Sequence, residues 1–242
     1  MRNVLVTGGS RGIGLAIARR LATSGDYNVI TVARSESEDL GRAIRGTGAD
    51  RLHFRAFDLS RTDEIPGFVK ELRDGFGAIY GLINNAGIGT EGLLATMHNS
   101  QIEALIRLNV VSPIVMTKYV VRHMMADRAG RVVNISSIIG STGYNGLSVY
   151  AASKAAATGF TRSLAREVGK LGITVNAISP GFVDTELTRS LDDDGRRRIA
   201  GRSALRRLPE AADVASMVEY LLGEGGRNIT GAEMTVDAGN TA

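Results

Sequence analysis

The chain has 242 residues, 43% of them apolar, and 29 basic against 25 acidic residues give a formal net charge of +4. That length suits one large α/β domain or two small ones, and the apolar share is enough for a core, which excludes a disordered chain. There is no cysteine, which excludes a disulfide framework and thiolate zinc sites and fits a reducing compartment.

The opening "MRNVLVTGGS" starts a strand almost at once, so no secretory leader is expected. The first strand is read at "NVLVT" (3–7). It runs through "VTGGSRGIG" into "GLAIARRLATSG", where Ile13, Ile17 and Leu21 recur at four-residue steps and Gly25 marks a stop. Gly8, Gly12 and Gly14 in that turn form G-x-x-x-G-x-G. A glycine turn between a first strand and a helix suits a dinucleotide. One glycine allows the tight turn, another lets the backbone approach a pyrophosphate, and a third lets helix and strand pack closely. The helix N-terminus then offers free N–H groups and a positive dipole end.

Further strands are read at "NVITV" (28–32), "LHFRAF" (52–57), "YGLIN" (80–84), "RVVNIS" (131–136), "ITVNAIS" (173–179) and "EMTVD" (233–237), with helical patterns in most of the gaps. This alternation predicts a parallel sheet covered by helices on both faces. No internal repeat, low-complexity tract or linker divides the chain, so residues 1–242 are read as one domain. The segment 184–208 is polar and charged, lies between a strand and a helix starting near Pro209, and reads as a lid. Within it "RRRIAGRSALRR" follows Asp192, Asp193 and Asp194. It is either a solvated helix of mixed charge or a basic rim that attracts a phosphorylated substrate. No uninterrupted apolar run reaches the ~18 residues of a membrane span. The basic residues are not interleaved with stacking aromatics. A soluble cytoplasmic protein that binds neither membrane nor nucleic acid is therefore expected. His53, His98 and His123 are scattered, without metal-ligand spacing.

In "YNGLSVYAASKAAATGF" a phenol, Tyr150, stands four residues before an amine, Lys154, among small residues. At i and i+4 the two side chains share a helix face. Reducing a carbonyl needs a hydride on carbon and a proton on oxygen. Tyr150 can give the proton, and a nearby cation should lower its pKa. The small neighbours Ala151, Ala152, Ser153, Ala155 and Ala156 leave room for a cofactor and a neighbouring helix.

The marks in order, "TGGSRGIG", "NNAG" (84–87), Asn109, "NISS", "YAASK" and "PGFVDTELT", resemble the short-chain dehydrogenase/reductase family over essentially the whole chain. The resemblance implies a doubly wound Rossmann domain with a seven-stranded parallel sheet in the order 3-2-1-4-5-6-7. It implies a catalytic set of Asn109, Ser137, Tyr150 and Lys154. In that set Ser137 polarises the substrate carbonyl and Asn109 helps hold a water chain that returns protons to the lysine. From the sequence alone Ser136 rivals Ser137, since alternation along a strand puts the two on opposite faces. The cofactor site implied consists of Gly8, Ser10, Arg11, Gly12, Ile13, Gly14, Arg34, Asp58, Leu59, Asn85, Ala86, Gly87, Tyr150, Lys154, Pro180, Gly181, Val183 and Thr185. No metal is implied.

Cofactor choice is read at the end of the second strand, "VITVARSE". NAD enzymes place an acid there for the ribose hydroxyls. Here Ala33 takes that slot and Arg34 follows, with Arg11 nearby, a pair of guanidinium groups suited to a 2′-phosphate. NADP(H) is expected. Within the family the wording is most similar to the 3-oxoacyl-(acyl-carrier-protein) reductases of fatty acid biosynthesis. These dock an acidic carrier protein with basic residues. Arg128 matches one such position, whereas Leu171 stands at the second with Lys170 beside it. The alternatives are reduction of acetoacetyl-CoA, a sugar, a quinone or another ketone, and a catalytically silent NADP(H) sensor. The resemblance also implies a homotetramer packed through helices at about 98–126 and 148–169.

Overall fold

Runs of apolar residues without polar alternation form strands covered on both faces. Val4, Leu5 and Val6 show the effect, with none of their surface exposed. The structure is a computed structural model that describes residues 1–47, 51–183 and 193–242. Its strands are β1 (Arg2–Thr7), β2 (Tyr27–Ala33), β3 (Leu52–Ala56), β4 (Ile79–Asn84), β5 (Gly130–Ile135), β6 (Ile173–Pro180) and β7 (Glu233–Val236). They pair in one parallel sheet in the order β3-β2-β1-β4-β5-β6-β7, as the resemblance implies. The helices are α1 (Gly12–Ser24), α2 (Glu38–Thr47), α3 (Ile65–Phe76), α4 (Asn99–Ile106), α5 (Ser112–Asp127), α6 (Ile139–Thr142), α7 (Ser148–Val168), α8 (Asp193–Arg202) and α9 (Ala211–Leu222).

Two cores lie on opposite faces of the sheet. On one, Ile17 and Leu21 of α1 and Val214, Val218 and Leu222 of α9 pack against Val4, Val6 and Val29. On the other, Phe68 and Leu72 of α3, Met116 and Val120 of α5, and Ala165 and Val168 of α7 pack against Leu5, Leu82, Val132 and Val175. The strand order reverses between β1 and β4, and the crevice beyond the carboxyl ends of those strands is where such sheets bind ligands.

The helices α4 and α5 are one continuous rod joined by a π-helical turn, Arg107–Val111. By length and composition this 29-residue stretch, Asn99–Asp127, is long and apolar enough to cross a membrane. It lies on the sheet instead, with Leu105, Met116, Val120, Val121 and Met124 buried. The expected strands are found within a residue or so of their predicted ends. Ser136 and Ser137 fall just past β5 rather than inside it.

Polar residues cross the second core as a ladder. Asn84 and Asn134 face each other in the β4–β5 register. Asn84 Nδ2 donates to Asn134 Oδ1 and to Thr117 Oγ1, both at 2.8 Å. Asn134 Nδ2 donates to Thr161 Oγ1 at 2.8 Å. The ladder ties α5 and α7 to the sheet directly behind the ends of β4 and β5. Asn134→Ala strands a buried donor and a buried hydroxyl, a loss of about 1–3 kcal/mol. Thermal denaturation should show Tm lowered by several degrees, and an unchanged Tm would mean that the ladder carries no net stability.

Candidate active site

The site begins at the glycine turn. Gly8 has φ +68°, a left-handed conformation that glycine adopts freely. A Cβ on Gly14 would fall 2.2 Å from the Gly8 carbonyl oxygen, so only glycine permits this approach of helix to strand. Thr7 locks the turn to the next strand over. Its hydroxyl donates to Ile83 O at 3.1 Å and accepts from the N–H groups of Asn85 at 3.0 Å and Ala86 at 3.1 Å. Asn85 Nδ2 returns bonds to the carbonyls of Thr7 at 3.0 Å and Gly8 at 3.2 Å. The segments around Gly8 and Asn85 are thus one unit at the β1–β4 switch point. Gly12 and Ile13 open α1, and its first turn holds no acidic residue, which leaves the dipole end free to take an anion.

Beyond β2, Arg34 is exposed, as is Arg11 in the turn. The Ser37 hydroxyl donates to the Ser10 carbonyl and joins the two loops. Asp58 accepts from the Ser60 N–H at 3.0 Å and hydroxyl at 2.8 Å. Those two bonds hold its carboxyl below the usual range, and the Arg34 and Arg61 charges act in the same direction. Leu59 is buried beside it.

The reactive groups lie past β5. Lys154 is 8% exposed, and its Nζ donates to the Ile135 carbonyl at 2.9 Å. Burial pulls its pKa down to about 8. Nζ is 5.6 Å from the Tyr150 ring centroid. Tyr150 is partly buried, and the Ser137 hydroxyl lies near enough to its phenol to pull the phenol pKa down. Burial raises the phenol pKa and outweighs Ser137, which lowers it. The net shift is therefore upward, against the expected lowering, because burial is the larger influence. The amine is turned to a strand carbonyl, and desolvation dominates. Ser136 projects the other way and donates to the Lys154 carbonyl at 2.9 Å. The two serines thus diverge, Ser136 to the Lys154 carbonyl and Ser137 toward the phenol.

Asn109 stands in the π turn, 7% exposed. Its Oδ1 accepts from Ile88 N–H at 2.9 Å, and its Nδ2 donates to Ile88 O at 2.9 Å and Ser153 Oγ at 3.2 Å. Ser153 Oγ in turn donates to Tyr150 O at 2.7 Å. Gly87 lies between, where a Cβ would be 3.1 Å from Asn109 Oδ1 and 3.8 Å from Lys154 Nζ. A cavity of about 20 Å³, lined by Asn84, Asn109 and Lys154 among others, has the size of one water molecule. Asn84 Oδ1 is buried without a protein partner.

Past β6, Pro180 O accepts from Ile138 N–H at 3.1 Å, and Gly181 N–H donates to Val236 O at 2.9 Å. Val183 is buried. Thr185 and the first part of the expected lid, 184–192, lie outside the described residues. The rest of that segment is α8 and an arm held against the C-terminal turn, with Leu205 N–H on Ala238 O at 3.0 Å. Sequence reasoning missed four participants: Thr7, Ile88, Ile135 and Ser153. Two of these act mainly through backbone groups. Ser153 was visible only as a small residue in an Ala-rich run.

A family model for short chain dehydrogenases matches residues 2–196. The chain is 37% identical over 236 residues to 3-oxoacyl-(acyl-carrier-protein) reductase FabG of Pseudomonas aeruginosa, covering 97% of this chain and 95% of that protein. It is 39% identical over 238 residues to the FabG of Escherichia coli, with the same two coverages. Among solved structures, a short chain dehydrogenase from Burkholderia cenocepacia in complex with NADP superimposes with a TM-score of 0.91 at 34% identity, covering 100% of this chain and 98% of that one. ElxO with NADP bound gives 0.89 at 29% identity, covering 99% and 98%.

The buried amine makes a signed prediction about stability. The pKa of Lys154 is about 8 when folded against an ordinary 10.5. Between those values the unfolded chain binds more protons, so stability rises with pH across this window. Below about 8 the burial penalty is fully present. Lys154→Met abolishes it. Chemical denaturation of both proteins should show the variant's advantage shrinking as pH rises through the window, and a pH-independent difference would mean that the amine titrates normally.

Proposed function

Because the chain belongs to the short-chain dehydrogenase family, we propose that it reduces the ketone of a 3-oxoacyl thioester to the secondary alcohol with NADPH. The observation that carries the reading is the convergence of Ser137, Tyr150 and Lys154 past β5, with the Ser137 hydroxyl acting on the phenol and the ammonium 5.6 Å from its ring centroid. The likeness to the 3-oxoacyl-(acyl-carrier-protein) reductases named above supports the substrate class. Four polar groups kept in working geometry argue against a silent sensor.

The cofactor fits this chain. Gly8 and Gly14 form a cradle that a Cβ would fill, and the α1 N-terminus suits the pyrophosphate. Gly12, Ile13, Ser10, Asn85, Ala86 and Gly87 would complete that site. Arg11 and Arg34 would take the 2′-phosphate, with Asp58 and Leu59 at the adenine end and Pro180, Gly181 and Val183 at the nicotinamide end. When bound, NADPH supplies the hydride.

The protein's part is the proton. Ser137 donates to the carbonyl oxygen and polarises it. Tyr150, held as a neutral phenol by burial, gives its proton to the same oxygen. Lys154, mostly charged at neutral pH with a pKa of about 8, steadies the phenolate left behind. Asn109 fixes the loop at Ile88 and, through Ser153, the α7 turn that carries Tyr150. A water in the adjoining cavity would return the proton through Lys154.

For a carrier-bound substrate, Arg128 is the candidate contact. It is held in a left-handed conformation with φ +51°, and its guanidinium reaches the Lys170 carbonyl at 3.5 Å. Leu171 stands at the position of the second expected cation, with Lys170 beside it. A homotetramer is proposed on the exposed stripe of the π turn and α5, where Val111, Ile114 and Met125 are 38%, 39% and 41% exposed.

NADPH oxidation with acetoacetyl thioesters tests the reading. Turnover is expected, and its absence with every 3-oxoacyl donor would overturn the substrate class. Tyr150→Phe should lower kcat by at least ~10²-fold while NADPH still binds. Retained turnover would identify another acid. The parent should prefer NADPH over NADH by roughly 10- to 150-fold in kcat/KM, the worth of a charge-assisted bidentate contact. Ala33→Asp with Arg34→Ala should reverse the preference. Equal efficiency in the parent would show that this strand end does not read the cofactor.

A further inference from the structure

Three loops meet at the carboxyl edge of the sheet around Ser137, and each carries an apolar side chain that belongs to neither core. After β4 come Leu93 and Leu94, 60% and 56% exposed. Between α6 and α7 stands Tyr144, 49% exposed. After β6 comes Phe182, two residues past Pro180. The loops are tied together. Gly92 N–H donates to Gly146 O at 3.0 Å, and Ile138, next to Ser137, donates to Pro180 O at 3.1 Å. The rings of Tyr144 and Phe182 meet edge to face, with centroids 5.9 Å apart and an interplanar angle of 61°. Tyr144 is flanked by Gly143 at φ +74° and, two residues on, Gly146 at φ +78°. These turns hold its loop in a conformation that a side chain at either glycine would resist.

The aromatic pair therefore joins the loop that runs from Ser137 to Tyr150 to the loop that follows β6. Exposed apolar side chains thus stand on the loops after β4 and before Tyr150, which a backbone hydrogen bond ties together. Soluble proteins rarely leave adjoining large apolar side chains in water without a ligand for them. A surface of this kind accepts a hydrocarbon chain, whereas a polyol would leave its hydroxyls unpaired against it.

We infer that Tyr144, packed on Phe182, is the specificity-determining wall of the site and receives the hydrocarbon arm of the 3-oxoacyl group, so that longer acyl chains are favoured over the shortest. The inference rests on the 3-oxoacyl reading and deepens it. The aromatic ring, not the hydroxyl, makes the contact. Each methylene that reaches the wall adds apolar burial, and one methylene in such a pocket is worth about 10- to 200-fold in discrimination at best.

The test compares two N-acetylcysteamine thioesters, 3-oxooctanoyl and 3-oxobutanoyl, with NADPH oxidation as the readout. In Tyr144→Ala the ratio of kcat/KM for the longer over the shorter substrate should fall at least ~10-fold, mainly through KM. Tyr144→Phe, which keeps the ring, should retain the parent ratio. If the parent reduces both substrates and the Tyr144→Ala ratio is unchanged, the inference is overturned while the reductase reading stands. The same holds if Tyr144→Phe loses the ratio as Tyr144→Ala does. If the parent reduces neither thioester, the 3-oxoacyl reading fails and the inference falls with it.

Discussion

The Lys154 side chain lies 8% exposed against the Ile135 carbonyl, and much of the site follows from keeping an amine there. Desolvation disfavours the charged form and brings the pKa to about 8, close enough to neutrality for the group to act electrostatically and to take up and release protons. Reaching that position needs a helix that packs against β5, which the small residues of α7 permit. Ser136 seals the packing by donating to the Lys154 carbonyl. The phenol one turn earlier then meets Ser137.

Around this amine the polar network is layered. The Asn84–Asn134 ladder fixes the strand ends and the two helices behind them. Asn109 fixes the β4 loop and, through Ser153, the first turns of α7. Thr7 and Asn85 join the glycine turn to the same loop. The surface for the dinucleotide and the surface for the proton donor are therefore parts of one hydrogen-bonded edge, and a shift in either moves the other.

Much of this edge was legible in the sequence. Gly8 and Gly14 declare themselves because a left-handed φ and a 2.2 Å approach exclude a side chain. The Tyr150 and Lys154 spacing declares a shared helix face. The strand order came from the resemblance rather than from periodicity, since apolar runs do not say which neighbour they pair with. Other features left no local signal. A π turn at Asn109 adds one residue to a helical pattern that reads the same without it. Ser153 looks like one more small residue until its hydroxyl is seen between Asn109 and Tyr150. The sign of the Tyr150 shift is not legible either, because spacing reports proximity of charge and not burial, and burial is the larger influence.

The central claim is that proton donation by Tyr150 depends on the charge of a buried Lys154. The most direct measurement is the pH dependence of kcat/KM for ketone reduction, which reports groups in the free enzyme. The account predicts a plateau at neutral pH and a fall as pH rises through about 8, where Lys154 loses its proton. A profile that stays level until the ordinary range of a phenol, near 10, would contradict it.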